Sequence, residues 1–202
     1  MNLTTLQDLF IHELKEVYDA EHQLVEALPG LAKAATDPEL KSALESHFAE
    51  TREQVIRLED VFANCGEAPE REECHGMKAL LKEGAKQHDA SDDPTVRDAA
   101  LIAAARKVEH YEIASYGSLI AWAHFTGFDT AREPLELSIE EERAADRRLA
   151  DIAETEEYSV VWREDEQVAM ATSAKPGRSG SRSSTSERAR SGAPARGRRA
   201  KK

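Results

Sequence analysis

A chain of 202 residues can bury one sizeable core, and its content of Ala, Leu, Glu, Lys and Arg, with 5% aromatics, argues against a sheet protein and for an all-α class. Two cysteines, Cys65 and Cys74, are too few for a disulfide framework or a thiolate zinc site. No run of about 18 apolar residues marks a membrane span, and Met1 to Thr5 lack the basic and apolar regions of a signal peptide, so a cytoplasmic protein with no membrane partner is expected.

The first helical pattern runs from Leu3 to about Ala35. On a 100° wheel its apolar stripe reads Leu3, Leu6, Phe10, Leu14, Val17, Glu21, Leu24, Leu28, which puts Glu21 at the centre. Asp37 followed by Pro38 supplies an N-cap and an N1 proline for a second helix ending near Asn64, where Cys65 and Gly66 follow. Its stripe reads Leu44, Phe48, Thr51, Val55, Leu58, Phe62, with His47, Glu50 and Gln54 on one flank.

Glu67 to Asp93 forms a long connection with a short helix around Met77 to Leu81. Asp93-Pro94 repeats the start signal and opens a third long helix lasting to Gly127. Its stripe reads Leu101, Ala105, Val108, Glu112, Ser115, Leu119, Trp122, with Glu109 at the edge. A fourth helix starts between Asp129 and Pro134 and reaches about Ala153; its stripe, Leu135, Ile139, Glu142, Asp146, Leu149, Ala153, carries two acids one turn apart.

Helices of this length span about 40 Å, a distance that the long second connection can retrace. The second and third helices are then parallel, and two antiparallel hairpins joined by one crossover make a ferritin-like four-helix bundle over residues 1–157. Glu21 to Glu50 is 29 residues and Glu112 to Glu142 is 30, so both hairpins carry acids at similar height. Residues 158–172 form an extension of undetermined structure, and 173–202 a disordered tail. Net charge divides sharply: the tail has ten Lys or Arg against Glu187 alone, leaving 17 basic and 38 acidic residues before it. Such a tail suits salt-sensitive, sequence-independent contact with nucleic acid, or a return onto the acidic domain.

Burying a carboxylate costs several kcal/mol, whereas a buried Leu contributes roughly 1.5 to 3, so unpaired acids in these stripes require compensation. Few Lys or Arg share the stripes, which leaves protonation or bound cations. Two divalent ions would neutralise four carboxylates, and oxygen ligands suit hard ions such as iron or manganese.

The stretches Tyr18-Asp-Ala-Glu21-His-Gln-Leu24, His47-Phe-Ala-Glu50-Thr51, Arg97-Asp-Ala-Ala-Leu-Ile102, Val108-Glu-His-Tyr-Glu-Ile-Ala-Ser-Tyr116-Gly and Glu141-Glu-Arg-Ala-Ala-Asp146 resemble the YciE/YciF-like family of the ferritin-like superfamily. The resemblance implies a homodimer, a dinuclear metal centre and a link to bacterial stress. The usual ferritin-like site pairs single Glu residues on two helices with Glu-x-x-His on the other two. Here Glu21 and Glu112 fit the single positions, with Glu109 beside them, while the paired positions hold His47-x-x-Glu50 and Glu142-x-x-x-Asp146. The expected ligand set is Glu21, His47, Glu50, Glu109, Glu112, Glu142 and Asp146 around two divalent ions, iron ahead of manganese, with oxidation of Fe(II) by oxygen or peroxide as the chemistry. The contrasting expectation is a non-enzymatic helical dimer that recruits DNA or an acidic partner through residues 173–202.

Overall fold

The computed structural model describes residues 3–155. The expected extension at 158–172 and basic tail at 173–202 lie outside the described residues. Five α-helices follow in order: α1 (Leu6–Ala34), α2 (Pro38–Asn64), α3 (His75–His88), α4 (Pro94–Thr126) and α5 (Arg132–Ala153), the last preceded by a 3-10 turn at Asp129–Ala131. No helix among the described residues is long and apolar enough to cross a membrane.

Local chemistry sets the helix ends. Thr5 and Asp8 form a reciprocal capping box at the start of α1. Asp37 accepts from the backbone N–H of Glu39 and Leu40, and Asp93 from those of Thr95 and Val96, each ahead of an N1 proline. Gly127 closes α4 in the left-handed region at φ 78°, a conformation that penalises any residue with a Cβ. The third helix is longer than the five residues expected around Met77 to Leu81: it spans 14, and the backbone N–H of Met77 donates to the Cys74 thiol at its start.

Contacts between helix ends fix the topology. Gln7 donates to the Thr126 carbonyl at 2.8 Å and Thr36 contacts Asp98, so α1 and α4 run antiparallel. Tyr18 donates to Glu59, setting α1 against α2 in the same sense, and Arg57 to Ser138 with Arg148 to Ser42 does so for α2 and α5. Consequently α2 and α4 are parallel, on one diagonal of a bundle whose neighbours are α1–α2, α2–α5, α5–α4 and α4–α1. The crossover between α2 and α4 carries α3, which packs on the outside of α4. A Cβ at Gly84 would stand 2.7 Å from that of Ala104, so the close approach of α3 needs glycine there.

Buried anions hold the two connections. Asp19 accepts from the Cys74 backbone N–H at 2.8 Å, Gln23 at 2.7 Å and Arg71 at 2.7 Å, pinning the crossover to α1. Asp98, 2% exposed, accepts from the backbone N–H of Thr36 and Asp37 and from the Thr36 hydroxyl, tying the α1–α2 turn to α4. Replacing it (Asp98→Ala) strands those donors, and urea unfolding is expected to show a loss of about 2 kcal/mol. A loss under about 0.5 kcal/mol would mean that solvent satisfies the turn.

The apolar core is in two blocks. One contains Leu24, Leu28, Leu40, Leu44, Leu101, Ile102 and Leu149; the other contains Phe10, Leu14, Leu58, Phe62, Tyr116, Leu119 and Leu135. In each helix the residues between the two blocks are polar: Glu21 in α1, His47, Thr51 and Gln54 in α2, Glu109 and Glu112 in α4, and Glu142 in α5, all buried. Leu3 and Leu6, assigned to the α1 stripe by periodicity, are 43% and 38% exposed, because they lie at the end of the bundle.

Candidate metal centre

Helical periodicity carries each polar side chain into the layer between the two apolar blocks. Glu21 lies one turn beyond Val17 and just before Leu24, so the packing that buries those residues buries it too. Glu112 stands four residues after Val108 and four before Tyr116, both buried, and Glu142 stands three after Ile139. In α2 the inward stripe is Leu40, Leu44, His47, Thr51, Gln54, Leu58 and Phe62, while Phe48 and Val55 are only half-buried. The flank expected to hold His47, Glu50 and Gln54 therefore turns His47 and Gln54 inward and leaves Glu50 half exposed.

Among the described residues, His47, Glu109, Glu112 and Glu142 each offer a ligand atom within 4.8 Å of the others, and all four are buried. The His47 Nε2 atom is 3.5 Å from Glu109 Oε1 and 3.9 Å from Glu142 Oε2. Its Nδ1 faces outward, 3.8 Å from Glu50 Oε2. Glu21 is fully buried beside this group; the Tyr116 hydroxyl donates to its Oε1, while its Oε2 has no hydrogen-bond partner in the protein. Gln54 donates to Glu142 and, at 3.0 Å, to Glu141, whose carboxylate also holds Arg57 through bonds of 2.8 and 3.0 Å. This chain of contacts anchors the Glu142 carboxyl from behind.

The structure brings together four of the seven residues expected to bind metal and places Glu21 next to them. Two stand apart. Asp146 accepts from Arg106 Nε at 2.8 Å and lies 3.5 Å from His110 Nε2, so its carboxyl pairs with α4 and is outside the group of four. Glu50 has a side chain 43% exposed and is outside the group of four. Tyr116 and Gln54, neither of them among the seven, join the layer. Both were legible as periodicity: Tyr116 follows Glu112 by one turn, and Gln54 follows His47 by two.

The electrostatics are those of buried acids that outnumber their cationic neighbours, His47 and Arg57. Burial pushes the Glu21 carboxyl up to about 8, with repulsion from Glu142 adding and the Tyr116 hydroxyl opposing. Burial likewise takes Glu109 up to about 8, with a hydrogen bond to Glu142 opposing and repulsion from Glu21 and Asp146 adding. Glu112 is raised well above the usual carboxylate range by burial and then by Glu142, Glu21 and Glu109. Burial also raises Glu142 despite the nearby His47. For His47 burial disfavours the imidazolium, yet Glu50, Glu142 and Glu21 outweigh it and raise its pKa.

Among the described residues, eight atoms in this layer have no hydrogen-bond partner from the protein: Glu21 Oε2, both His47 ring nitrogens, Gln54 Oε1, Glu109 Oε2, both Glu112 oxygens and Glu142 Oε2. Buried polar atoms are ordinarily paired, so a concentration of lone-pair donors at one height fits a cation-binding site. Hard oxygen donors with one imidazole are a set that suits a first-row divalent ion and can hold a metal ion without further protein ligands.

Comparisons with known proteins place the chain in context. Residues 5–159 match the profile of a family described as a domain of unknown function, DUF892. Protein YciF of Escherichia coli K12 is 42% identical over 154 residues, covering 76% of this chain and 93% of that protein. The crystal structure of the E. coli stress protein YciF superposes with a TM-score of 0.72 at 41% identity, covering 75% of this chain and 96% of that one. YcfI from Rhodopseudomonas palustris gives 0.73 at 41%, covering 74% and 95%. A Xanthomonas campestris structure at 18% identity, with a TM-score of 0.59 over 81% of this chain and 98% of that one, shares the fold.

Proposed function

The chain belongs to the DUF892 family, and from that footing we propose that it is a stress-associated protein whose bundle holds a carboxylate-rich dinuclear centre, of iron or, as the second choice among hard ions, manganese. The unpaired atoms of the buried polar layer carry this reading. His47, Glu109, Glu112 and Glu142 would hold one ion, and Glu21 Oε2, with the second oxygen of Glu112, the other. When bound, such a centre supplies oxidation of Fe(II) by oxygen or peroxide. The likeness to a protein named for stress supports a protective role.

The protein's own share of the work is to pre-organise donors. Tyr116 fixes one oxygen of Glu21, and Gln54 with the Glu141–Arg57 pair fixes one oxygen of Glu142, so the opposite oxygen of each carboxyl is left to the layer. Glu112 has neither restraint, and both of its oxygens are available. The apolar blocks above and below keep bulk water away and strengthen every charge interaction inside.

Metal analysis of protein purified without chelator is the direct test. Wild type is expected to retain iron or manganese approaching two ions per chain, and the double variant Glu112→Ala, Glu142→Ala at most about a tenth of that, with its helical circular dichroism intact. Absence of iron, manganese and zinc from the wild type after anaerobic reconstitution would sink the reading.

A further inference from the structure

The buried cluster is approached between α2 and α5. There a cavity of about 230 Å³ reaches from solvent to His47 and Glu109, with Ser46, Glu50, Ala145 and Arg148 around its outer part. His47 is the partition: it is 4% exposed and neither ring nitrogen has a hydrogen-bond partner, Nδ1 facing Glu50 at the mouth and Nε2 facing Glu109 and Glu142 inside. On the far side of His47 and Glu109 lies a second cavity of only about 30 Å³, lined otherwise by Leu, Ala, Val and Gly residues of α1, α3 and α4. Beyond those two residues a hydrated divalent ion meets no polar side chain on that side, whereas the first cavity adds the Glu50 carboxylate and the Ser46 hydroxyl.

We propose that the cavity between α2 and α5 is the loading port of the centre, in which a divalent cation is first bound by Glu50 at the mouth and then passes His47 to reach the resident ligands. The proposal rests on the metal-centre reading above and gives Glu50 a transient role in place of a resident one. Its half-exposed position is what that role needs: solvent reaches the carboxylate, and its Oε2 already lies 3.8 Å from the partition. Arg148 is the opposing charge at the rim. Its guanidinium is drawn aside onto the Ser42 hydroxyl at 3.2 Å, which leaves the passage open while still repelling cations.

Opposite charges on one rim make the port testable by sign. Metal-free full-length protein is mixed with Co(II), the visible absorption of the bound ion is followed in time, and the final content is read by metal analysis after gel filtration. Glu50→Gln is expected to slow loading at least about threefold and Arg148→Gln to accelerate it, as removal of an attractive or a repulsive charge from a cleft does. Ala145→Leu, which narrows the passage, should also slow it, and all three should reach the wild-type content. Wild-type rates in Glu50→Gln and Ala145→Leu overturn the port, as does slowing by Ala105→Leu, on the apolar side, in their place. The inverse charge response would mark a port for anions, and a lower final content in Glu50→Gln would make that residue a resident ligand; either overturns the proposal. If wild type itself takes up no Co(II), the metal centre fails, a result distinct from normal uptake by another route.

Discussion

Glu112→Leu is expected to make the metal-free protein more stable by about 2–4 kcal/mol while depriving it of metal. Glu112 is 1% exposed, and neither carboxyl oxygen has a partner, so in the absence of an ion it contributes nothing that a leucine would not exceed. Leucine removes the desolvation penalty and joins apolar neighbours along α4, including Val108 and Leu119. For a domain of this size the gain corresponds to a rise in Tm on the order of 10 °C, readable by thermal denaturation in chelator. The same variant should bind Co(II) at least about tenfold more weakly, because one of the few unrestrained ligands is gone. Lower stability without metal would show that Glu112 is compensated by something other than a cation, and the metal-centre reading would lose its main support.

The second large effect is on pH. Glu21 and Glu109 each move from 4.5 in an exposed chain to about 8 in the fold, and Glu112 and Glu142 move in the same direction. Between those values the native state binds more protons than the unfolded one, so the stability of the metal-free protein falls as pH rises. His47 acts with the same sign: its raised pKa gives stability that is present below 6.5 and lost as pH rises through the native value. Asp19, held down against burial by Cys74, Gln23 and Arg71, works the other way and weakens the fold in acid. The metal-free protein should therefore be most stable near pH 5. With one pKa unit equal to about 1.4 kcal/mol, even one such carboxyl costs on the order of 4 kcal/mol between pH 5 and pH 8. Metal should reverse the trend, since an ion displaces protons and binds better as pH rises. Chemical denaturation at the two pH values, with chelator and with Mn(II), measures both slopes; a metal-free protein more stable at pH 8 than at pH 5 would contradict the assignment of buried, uncompensated acids.

Much of the architecture was written in short-range chemistry. Asp37-Pro38, Asp93-Pro94 and Gly127 act within a few residues of themselves, so the boundaries they announce coincide with those of α2 and α4. Glu21, Glu112 and Glu142 could be read as interior because each interrupts an otherwise apolar stripe. The face of α2 could not: two adjacent stripes, one with Phe48 and Val55 and one with His47 and Gln54, are equally periodic, and hydrophobicity favours the first. The bundle selects the second because the facing helices present acids at that height, and only polar side chains answer them. The pairing of Asp146 was hidden for a related reason. Its partner Arg106 lies on another helix, 40 residues away, where no wheel of α5 can show it. The length of α3 was equally hidden, since the Cys74 cap and the fit of Gly84 against Ala104 arise only once the crossover is docked.

The separation of the core into two apolar blocks has a consequence for how the helices are aligned. Leucine packed on leucine discriminates poorly between neighbouring registers, and a helix in such a bundle can slide by one turn, about 5.4 Å, at modest cost. The intervening polar layer removes that freedom. If α5 slid by a turn, Glu142 would leave Gln54 and His47 and enter a block of leucines, and the other helices carry the same penalty with Glu21, His47 and Glu112. The layer thus works as an alignment mark cut across four rods: it selects one axial setting for all of them, whether or not an ion is bound.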